Sequence, residues 1–221
     1  MLNVIYEDNH LLVVEKPVNI LSQGDNTNDD DMVNLLKKYL KEKYNKPGNV
    51  FVGLVHRLDR PVGGIMVFAK TSKAASRLSE QVRNKTFKKT YKAVIHGEMK
   101  KKQDNLSDYL YKDKKTNMAS VVKKNHKDAK DAKLSYKTLA SNNGFSLVEI
   151  DLQTGRPHQI RVQFSSRNHP LYGDQRYGKN VNKKGQQIAL WSYKIEIEHP
   201  TKKEKMEFVC EPPNKYPWNM F

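Results

Sequence analysis

A single carboxylate among cations is the first feature of this sequence that could perform chemistry, in His56-Arg57-Leu58-Asp59-Arg60. An ionised Asp59 can act as a nucleophile or as a general base, and a neighbouring guanidinium would favour its ionised form. The same segment also fits an aspartate that caps a turn or pairs with Arg60 at the surface. Taken alone, the pentapeptide leaves both interpretations open.

A second cluster of chemically active residue types is Thr154-Gly155-Arg156-Pro157-His158-Gln159-Ile160-Arg161. It places two arginines beside a tight turn at a predicted helix start, where backbone N–H groups also favour anions. Only eight of the 40 basic residues are arginines, and six of those eight lie in residues 57–60 and 156–176. Because guanidinium offers a fork of donors that ammonium cannot copy, both segments are candidate sites. The alternative for the second is a phosphate-binding turn without chemistry.

Other classes of active site are not indicated by the spacing of residues. The sequence contains no P-loop, no Gly-x-Gly-x-x-Gly, no Gly-x-Ser-x-Gly and no His-x-x-x-His. Its one cysteine, Cys210, excludes an internal disulfide and a thiolate zinc cluster, and it lies in a strand-like segment. We therefore expect neither a cofactor nor a catalytic metal.

Composition indicates a folded α/β protein that attracts polyanions. The 221 residues are 37% hydrophobic and 29% charged, with a formal net charge of +16 and a pI near 9.7. Nucleic acid is the leading partner class, although lysines that merely solvate the surface would give the same charge. No apolar stretch approaches the roughly 20 residues of a transmembrane helix, and no signal peptide precedes the first predicted strand. We expect a cytoplasmic protein that does not contact membranes.

Hydrophobic periodicity predicts the elements that position these residues. Strands are predicted at residues 3–6, 11–14, 64–69, 90–95, 134–139, 145–152, 188–197 and 205–209. Helices are predicted from Met32 to a point before Pro47, over residues 72–84 with Ser72 as the cap, and over residues 157–164. Residues 100–137 are crowded with lysine and poor in large apolar residues, so we predict a mobile insertion that faces RNA.

Short motifs follow one another in a fixed order along nearly the whole chain. They are Tyr6-Glu7-Asp8, Leu12-Val13-Val14-Glu15-Lys16-Pro17, His56-Arg57-Leu58-Asp59 with Gly64 and Ala69-Lys70, Tyr91-Lys92-Ala93, His96-Gly97, Thr154-Gly155-Arg156, His158-Gln159-Ile160-Arg161-Val162, His169-Pro170, Gly173-Asp174 and Tyr177-Gly178. In kind and order they resemble the RluA-type RNA pseudouridine synthases. The probability that this many motifs agree in kind and order by chance is very small.

The resemblance implies an α+β fold, with a large mixed, mostly antiparallel β-sheet flanked by helices and a central catalytic cleft. It implies a single catalytic domain over residues 1–221, of the short form without an N-terminal RNA-binding module. The implied reaction is isomerisation of uridine to pseudouridine in ribosomal or transfer RNA, which needs no cofactor. We expect a monomer, and no protein partner is indicated.

The resemblance also suggests roles for particular residues. Asp59 matches the catalytic aspartate, Arg156 the arginine that orients it, and Tyr91 the tyrosine that stacks on the target base. Stacking on an aromatic face contributes roughly 1–3 kcal/mol per base. Judged by its strand alone, Tyr91 would be an ordinary core aromatic.

Substrate-binding roles are expected for six further residues. Arg57 matches a position that helps to hold the uridine flipped out of its stack. His56, His158 and Arg161 are expected to orient the site or bind phosphate. Ser165 stands where an apolar residue usually lines the uracil pocket, and Phe164 would have to supply that surface.

Three departures from the family pattern bear on substrate choice. Val62-Gly63 stands in place of Thr-Ser and makes that loop more flexible, and Gln163 replaces a frequent histidine. The third departure is Ser165, which stands in place of an apolar residue.

The alternatives to a synthase are a catalytically inactive RNA-binding relative that acts in RNA assembly, and another base-directed enzyme such as a uracil methyltransferase or a nucleoside hydrolase. The joint presence of Asp59, Tyr91 and Arg156 argues against the first, and the setting of Cys210 argues against a cysteine-dependent methyltransferase.

Overall fold

The computed structural model of the chain describes residues 2–25, 27 and 29–221, so Met1 of the predicted domain lies outside the described residues. The fold is α+β, with three α-helices among the described residues and mostly antiparallel strands. This confirms the predicted fold class. The chain forms two compact units: the first contains Met1–Lys88 and Ser192–Glu211, and the second contains Lys89–Trp191 and Pro212–Phe221. That residues 1–221 act as a single catalytic domain stays a prediction.

The first unit is built around a buried central strand. Its elements are β1 (Asn3–Glu7), β2 (Leu11–Lys16), α1 (Met32–Lys43), β3 (Gly53–Leu54), β4 (Gly63–Ala69), α2 (Ser72–Arg83), most of β10 (Leu190–Glu198) and β11 (Lys205–Val209). Both β2 and β3 pair with β4 in antiparallel register, and every residue of β4 is buried. A strand that is covered on both faces has apolar residues at successive positions. This continuous hydrophobic run in the sequence explains why a strand could be predicted over residues 64–69.

Capping side chains set the starts of the two helices of the first unit. The carboxylate of Asp31 accepts a hydrogen bond from the backbone of Asn34, and the hydroxyl of Thr71 accepts one from Ala74. The prediction of Ser72 as the cap of α2 is therefore wrong by one residue. Thr71 has the extended backbone that a cap requires, so its oxygen reaches the free N–H groups of the first turn.

The second unit is an antiparallel sheet followed by a short helix. Its strands lie in the order β5 (Lys88–His96), β9 (Phe145–Leu152), β8 (Lys130–Asn142), β6 (Gln103–Lys112) and β7 (Ala119–Val122). The helix α3 (Gln159–Ser165) begins two residues later than predicted. Among the described residues of both units, no helix is long and apolar enough to cross a bilayer.

Most of the predicted insertion at residues 100–137 belongs to strands β6, β7 and β8, which lie at 103–112, 119–122 and 130–142, whereas its mobility and its contact with RNA stay predictions. Leu106 and Leu110 on β6 are buried, and Leu134 and Tyr136 on β8 are buried as well. Leu106 and Leu134 pair directly across the two strands. Along β8, the buried Ala132, Leu134 and Tyr136 alternate with the exposed Lys133 and Lys137, so the lysines masked a period of two in that strand.

A buried carboxylate at the end of β1 ties α1 to the sheet of the first unit. Glu7 accepts hydrogen bonds, at distances of 2.7 to 2.9 Å, from Tyr39, Lys43, Tyr44 and Lys70. Burial raises the pKa of Glu7, but the hydrogen bonds from these four side chains outweigh burial and lower the pKa from 4.5 to about 2. The ionised form of Glu7 therefore stabilises the folded state.

The stability supplied by Glu7 should be lost in acid. Because its folded pKa lies below its unfolded pKa, the contribution is complete above about pH 5 and declines as the pH falls through 4.5 towards 2. The gap in unfolding free energy between wild type and Glu7→Gln should be about 1–2 kcal/mol wider at about pH 7 than at about pH 3, after allowance for the exposed partners. Urea denaturation followed by circular dichroism measures this gap. A gap that does not change with pH would contradict the assignment.

Candidate active site

Asp59 lies half-buried in the first unit, in the loop between β3 and β4. Its carbonyl accepts a hydrogen bond from the backbone of Val62 at 2.9 Å, which closes a tight turn. The preceding residue, Leu58, is held at both backbone groups by the buried hydroxyl of Ser22, at 3.0 and 2.8 Å. These contacts fix the backbone on both sides of the carboxylate.

The neighbours of Asp59 in the motif have different environments. His56 is buried, its Nε2 accepts a hydrogen bond from the backbone of Val67 on β4 at 3.0 Å, and its ring packs against Phe87. Arg57 is exposed. Arg60 forms an ion pair with Asp29 at 2.7 Å and donates to the carbonyl of Asn19. This pairing weighs against the alternative in which Asp59 merely pairs with Arg60.

A fully buried lysine joins β2 to the Asp59 turn. The ammonium group of Lys16 donates to the carbonyls of Pro17, Ile20 and Arg60 at 2.9, 2.6 and 3.1 Å. Burial lowers the pKa of Lys16 to about 7, although the attraction of Asp59 opposes that change. When protonated, Lys16 thus places a buried positive charge in the electrostatic field of Asp59. In the sequence, Lys16 belongs to a motif but carries no signal of a role in the site, because that role depends on contacts made only in the folded chain.

The glycines after the Asp59 turn are packed. Gly64 has a φ of +113°, and a β-carbon there would collide with the backbone of Ser192. Val62 is buried, and Gly63 is the first residue of β4. The loop that the Val62-Gly63 departure was expected to loosen is therefore followed by a fixed strand, because the absence of a side chain at Gly64 permits close approach of the backbone of Ser192.

In the second unit, Tyr91 is a buried residue of β5 that pairs with Ile150 of β9. Arg156 lies in the turn before α3, where its Nε donates to the carbonyl of Asp131 at 2.8 Å. The two terminal nitrogens of Arg156 form no hydrogen bond with any described residue. The half of the guanidinium that suits a carboxylate or a phosphate is therefore open to a ligand.

Two buried glutamines hold the Arg156 turn. Gln159 accepts hydrogen bonds from the backbone of Arg156 at 3.0 Å and from the hydroxyl of Thr154 at 2.8 Å. Its amide nitrogen donates to Gln163, which in turn donates to Asp108 on β6 at 2.7 Å. Gln163, which replaces a frequent histidine of the family, therefore connects the turn to the sheet.

His158 and Arg161 meet through a tyrosine. His158 has a left-handed backbone with φ of 54°, and its Nδ1 lies 2.7 Å from the hydroxyl of Tyr177. The guanidinium of Arg161 lies over the same ring at 5.2 Å and makes two hydrogen bonds of 2.8 Å with Asp174. Burial raises the pKa of Asp174, but the guanidinium of Arg161 and the backbone N–H groups of Arg176 and Tyr177 together outweigh burial and lower the net pKa. Because both side chains are held by other protein groups, His158 and Arg161 are suited to orienting the site.

The two residues expected at the pocket wall face the interior of the second unit. Phe164 has no exposed surface and packs edge-on against Tyr136, with ring centroids 5.6 Å apart. The hydroxyl of Ser165 donates to the carbonyl of Tyr177 at 2.6 Å. The expectation that Phe164 offers apolar surface to a base is therefore corrected, because α3 turns that ring into the core.

Comparison with known proteins identifies the family. The family profile described as RNA pseudouridylate synthase matches residues 10–166. The chain belongs to the RluA-type RNA pseudouridine synthase family. It is thus an isomerase that acts on RNA, and the predicted family and reaction class are confirmed.

Two relatives illustrate how far the similarity to other synthases extends. An uncharacterized RNA pseudouridine synthase of Bacillus subtilis (strain 168) is 34% identical over 96% of this chain and 68% of its own length. Ribosomal large subunit pseudouridine synthase D of Borreliella burgdorferi is 32% identical over 96% of this chain and 66% of its own length. This synthase therefore spans about two thirds of the length of either relative.

Solved structures show the same fold. Human RNA pseudouridylate synthase domain containing 4 superimposes with a TM-score of 0.78 at 21% identity, covering 96% of this chain and 88% of that one. Human RNA pseudouridylate synthase domain containing 1 gives a TM-score of 0.76 at 23% identity, covering 98% and 85%. The sheet and helices of the synthase are those of the pseudouridine synthase fold.

Proposed function

We propose that this synthase converts specific uridines of structured ribosomal or transfer RNA to pseudouridine, with Asp59 as the catalytic carboxylate. The observation that carries the proposal is the half-buried Asp59 in a turn fixed by Ser22 and Lys16, within the motif that matches the catalytic segment of the family. A preorganised carboxylate in a partly desolvated site costs little reorganisation during reaction.

The reaction balances without a cofactor. The bond between the sugar and the ring nitrogen breaks, and a bond between the sugar and a ring carbon forms. The proton on that carbon is lost, and the released nitrogen gains one. Asp59 can attack the sugar carbon, or it can remove a proton, and either route uses the ionised carboxylate.

Two further residues proposed to act on the RNA, Tyr91 and Arg156, belong to the second unit. We assign base stacking to Tyr91 and anion binding to Arg156, whose terminal nitrogens are open to a carboxylate or phosphate. Arg57 is exposed and suits contact with the flipped nucleotide. His56, His158 and Arg161 are assigned as residues that orient the site, because each is engaged with protein groups.

The choice of RNA rests on the charge of the synthase and on its relatives. A formal net charge of +16 favours a polyanion, and the Borreliella burgdorferi relative is named as a ribosomal large subunit enzyme. Ribosomal RNA is therefore the first substrate to test, followed by transfer RNA. Both occur in the cytoplasm, where we expect a monomeric enzyme to act.

The decisive experiment uses ribosomal and transfer RNA transcribed in vitro, which contain only unmodified uridine. The synthase is incubated with each RNA, and pseudouridine is mapped by chemical labelling and reverse transcription, with Asp59→Ala in parallel. Modification at one or a few defined positions by the wild type alone supports the proposal. Tight binding without any product would instead favour the inactive RNA-binding relative.

Two groups of exposed lysines, one at each end of β6, should contribute to RNA affinity. Lys100, Lys101 and Lys102 precede β6, and Lys114 and Lys115 lie in the turn after it, so the ten-residue strand holds the two groups roughly 30 Å apart. Among the described residues, only Lys101 of these five forms an ion pair, with Asp104. Replacing all five by glutamine should weaken RNA binding and reduce the salt slope by about one for each lysine that contacts a phosphate.

Filter binding at several salt concentrations measures both quantities. The matched control replaces five exposed lysines of the first unit: Lys73, Lys85, Lys88, Lys202 and Lys205. The control should lose less affinity although its net charge is the same. Equal loss in both variants would show that the lysines at the ends of β6 act only through overall charge.

A further inference from the structure

Lys89 stands beside the Arg156 turn in the second unit. It precedes Tyr91 by two residues on β5, and since side chains alternate along a strand, Lys89 and Tyr91 point to the same face. The ammonium of Lys89 lies 3.4 Å from the position that a β-carbon at Gly155 would occupy. Gly155 is exposed and immediately precedes Arg156, so the ammonium lies beside a turn that solvent can reach.

No protein anion neutralises this lysine. Among the described residues, Lys89 forms no ion pair and no hydrogen bond. The nearest carboxylate in the strand register, Asp151 on β9, is engaged by the hydroxyl of Thr90 at 2.9 Å. Burial lowers the pKa of Lys89, and no acidic neighbour offsets that effect. A largely buried, unpaired ammonium destabilises the protein on its own, which is understandable where a ligand supplies the anion.

The neighbouring groups of the turn are also donors without acceptors. The terminal nitrogens of Arg156 and the backbone N–H of Gly155 form no hydrogen bond within the described part of the chain. An ammonium, a guanidinium edge and a backbone N–H are the groups that proteins use to bind phosphate oxygens. The absence of a side chain at Gly155 also lets a bulky anion approach the backbone.

We propose that Lys89, Gly155 and Arg156 form a binding site for one backbone phosphate of the RNA strand that carries the target uridine. The site lies on the strand face that also carries Tyr91, so a phosphate held here would fix the register of the nucleotide presented to that ring. The inference rests on the proposed function and adds a specific ligand group to it. Lys89 is a binding residue in this proposal and takes no part in proton transfer.

Binding measurements test the site without relying on catalysis. In an Asp59→Asn background, Lys89→Met should weaken binding of the substrate RNA by about tenfold and reduce the salt slope by about one. Lys89→Arg should bind within about threefold of the parent. Lys88→Met is the matched control, because Lys88 is exposed on the opposite strand face and is paired with Glu196. An effect of Lys88→Met equal to that of Lys89→Met would overturn the proposal.

RNA in which single phosphates near the target uridine are replaced by uncharged methylphosphonates locates the contact. At one position, the replacement should weaken binding to the parent by about tenfold but leave binding to Lys89→Met unchanged. Additive losses at every position would overturn the site. The melting temperature of Lys89→Met should equal or exceed that of wild type, since the change removes a buried charge. A melting temperature below that of wild type would contradict the conclusion that the ammonium of Lys89 is unpaired in the protein.

The outcomes separate this inference from the proposed function. If wild type forms pseudouridine and Lys89→Met binds RNA normally, only the phosphate site fails. If wild type forms no pseudouridine but Lys89 and one phosphate remain coupled, the site stands and the catalytic proposal fails.

Discussion

Asp59→Asn should lower the rate of pseudouridine formation by on the order of a thousandfold or more, with RNA affinity retained. The amide matches the carboxylate in size, so the hydrogen bonds that hold Leu58 and the carbonyl of Asp59 can persist. It can neither attack the sugar nor accept a proton at neutral pH. Single-turnover rates with excess enzyme, measured by nucleoside chromatography after digestion, isolate this chemical defect from binding.

Arg60→Gln is the control for Asp59→Asn. Arg60 adjoins Asp59, but its side chain is exposed and bound to Asp29 and the carbonyl of Asn19. Its removal should change the rate by less than about threefold, since an exposed ion pair contributes at most about 1 kcal/mol. An Asp59→Asn enzyme as fast as Arg60→Gln would show that another group performs the chemistry.

The sequence predicted elements best where turn residues bound a run of strand-forming residues on both sides. Residues 205–209 and 145–152 were predicted with the observed bounds, because their apolar residues recur with a clear period between strong turn signals. The strand β6 was missed because its two buried leucines, Leu106 and Leu110, are separated by polar residues, and β7 was missed because it is only four residues long. Both depend on pairing, β6 with β8 and β7 with β6, which local composition does not reveal.

In the candidate site, too, some residues could be predicted from the sequence and others could not. Ordered motifs pointed to Asp59, Tyr91 and Arg156, whereas the roles of Lys16 and Lys89 depend on contacts that only the folded chain creates. The orientation of Phe164 was mistaken although a signal existed. Ile160 and Phe164 are four residues apart, so they share one face of α3, and both are buried.

Arg161→Met should lower the free energy of unfolding of the second unit by about 3–5 kcal/mol, because it leaves the carboxylate of Asp174 buried and uncompensated. The two side chains are only 5% and 0% exposed. The same carboxylate accepts hydrogen bonds from the backbones of Arg176 and Tyr177 at 2.9 and 3.2 Å, so it also fixes the turn that carries Tyr177.

Urea denaturation followed by tryptophan fluorescence measures the loss directly, since Trp191 and Trp218 both belong to the second unit. Asp174→Asn should also destabilise this unit, but the double variant should be more stable than the sum of the single losses predicts, with a coupling of about 1–3 kcal/mol. The exposed pair of Lys101 and Asp104 is the control, and Lys101→Met should cost less than about 1 kcal/mol. A similarly small loss for Arg161→Met would mean that solvent reaches Asp174. Stability would then not explain the role of Arg161, and direct contact with RNA would become the better account of that arginine.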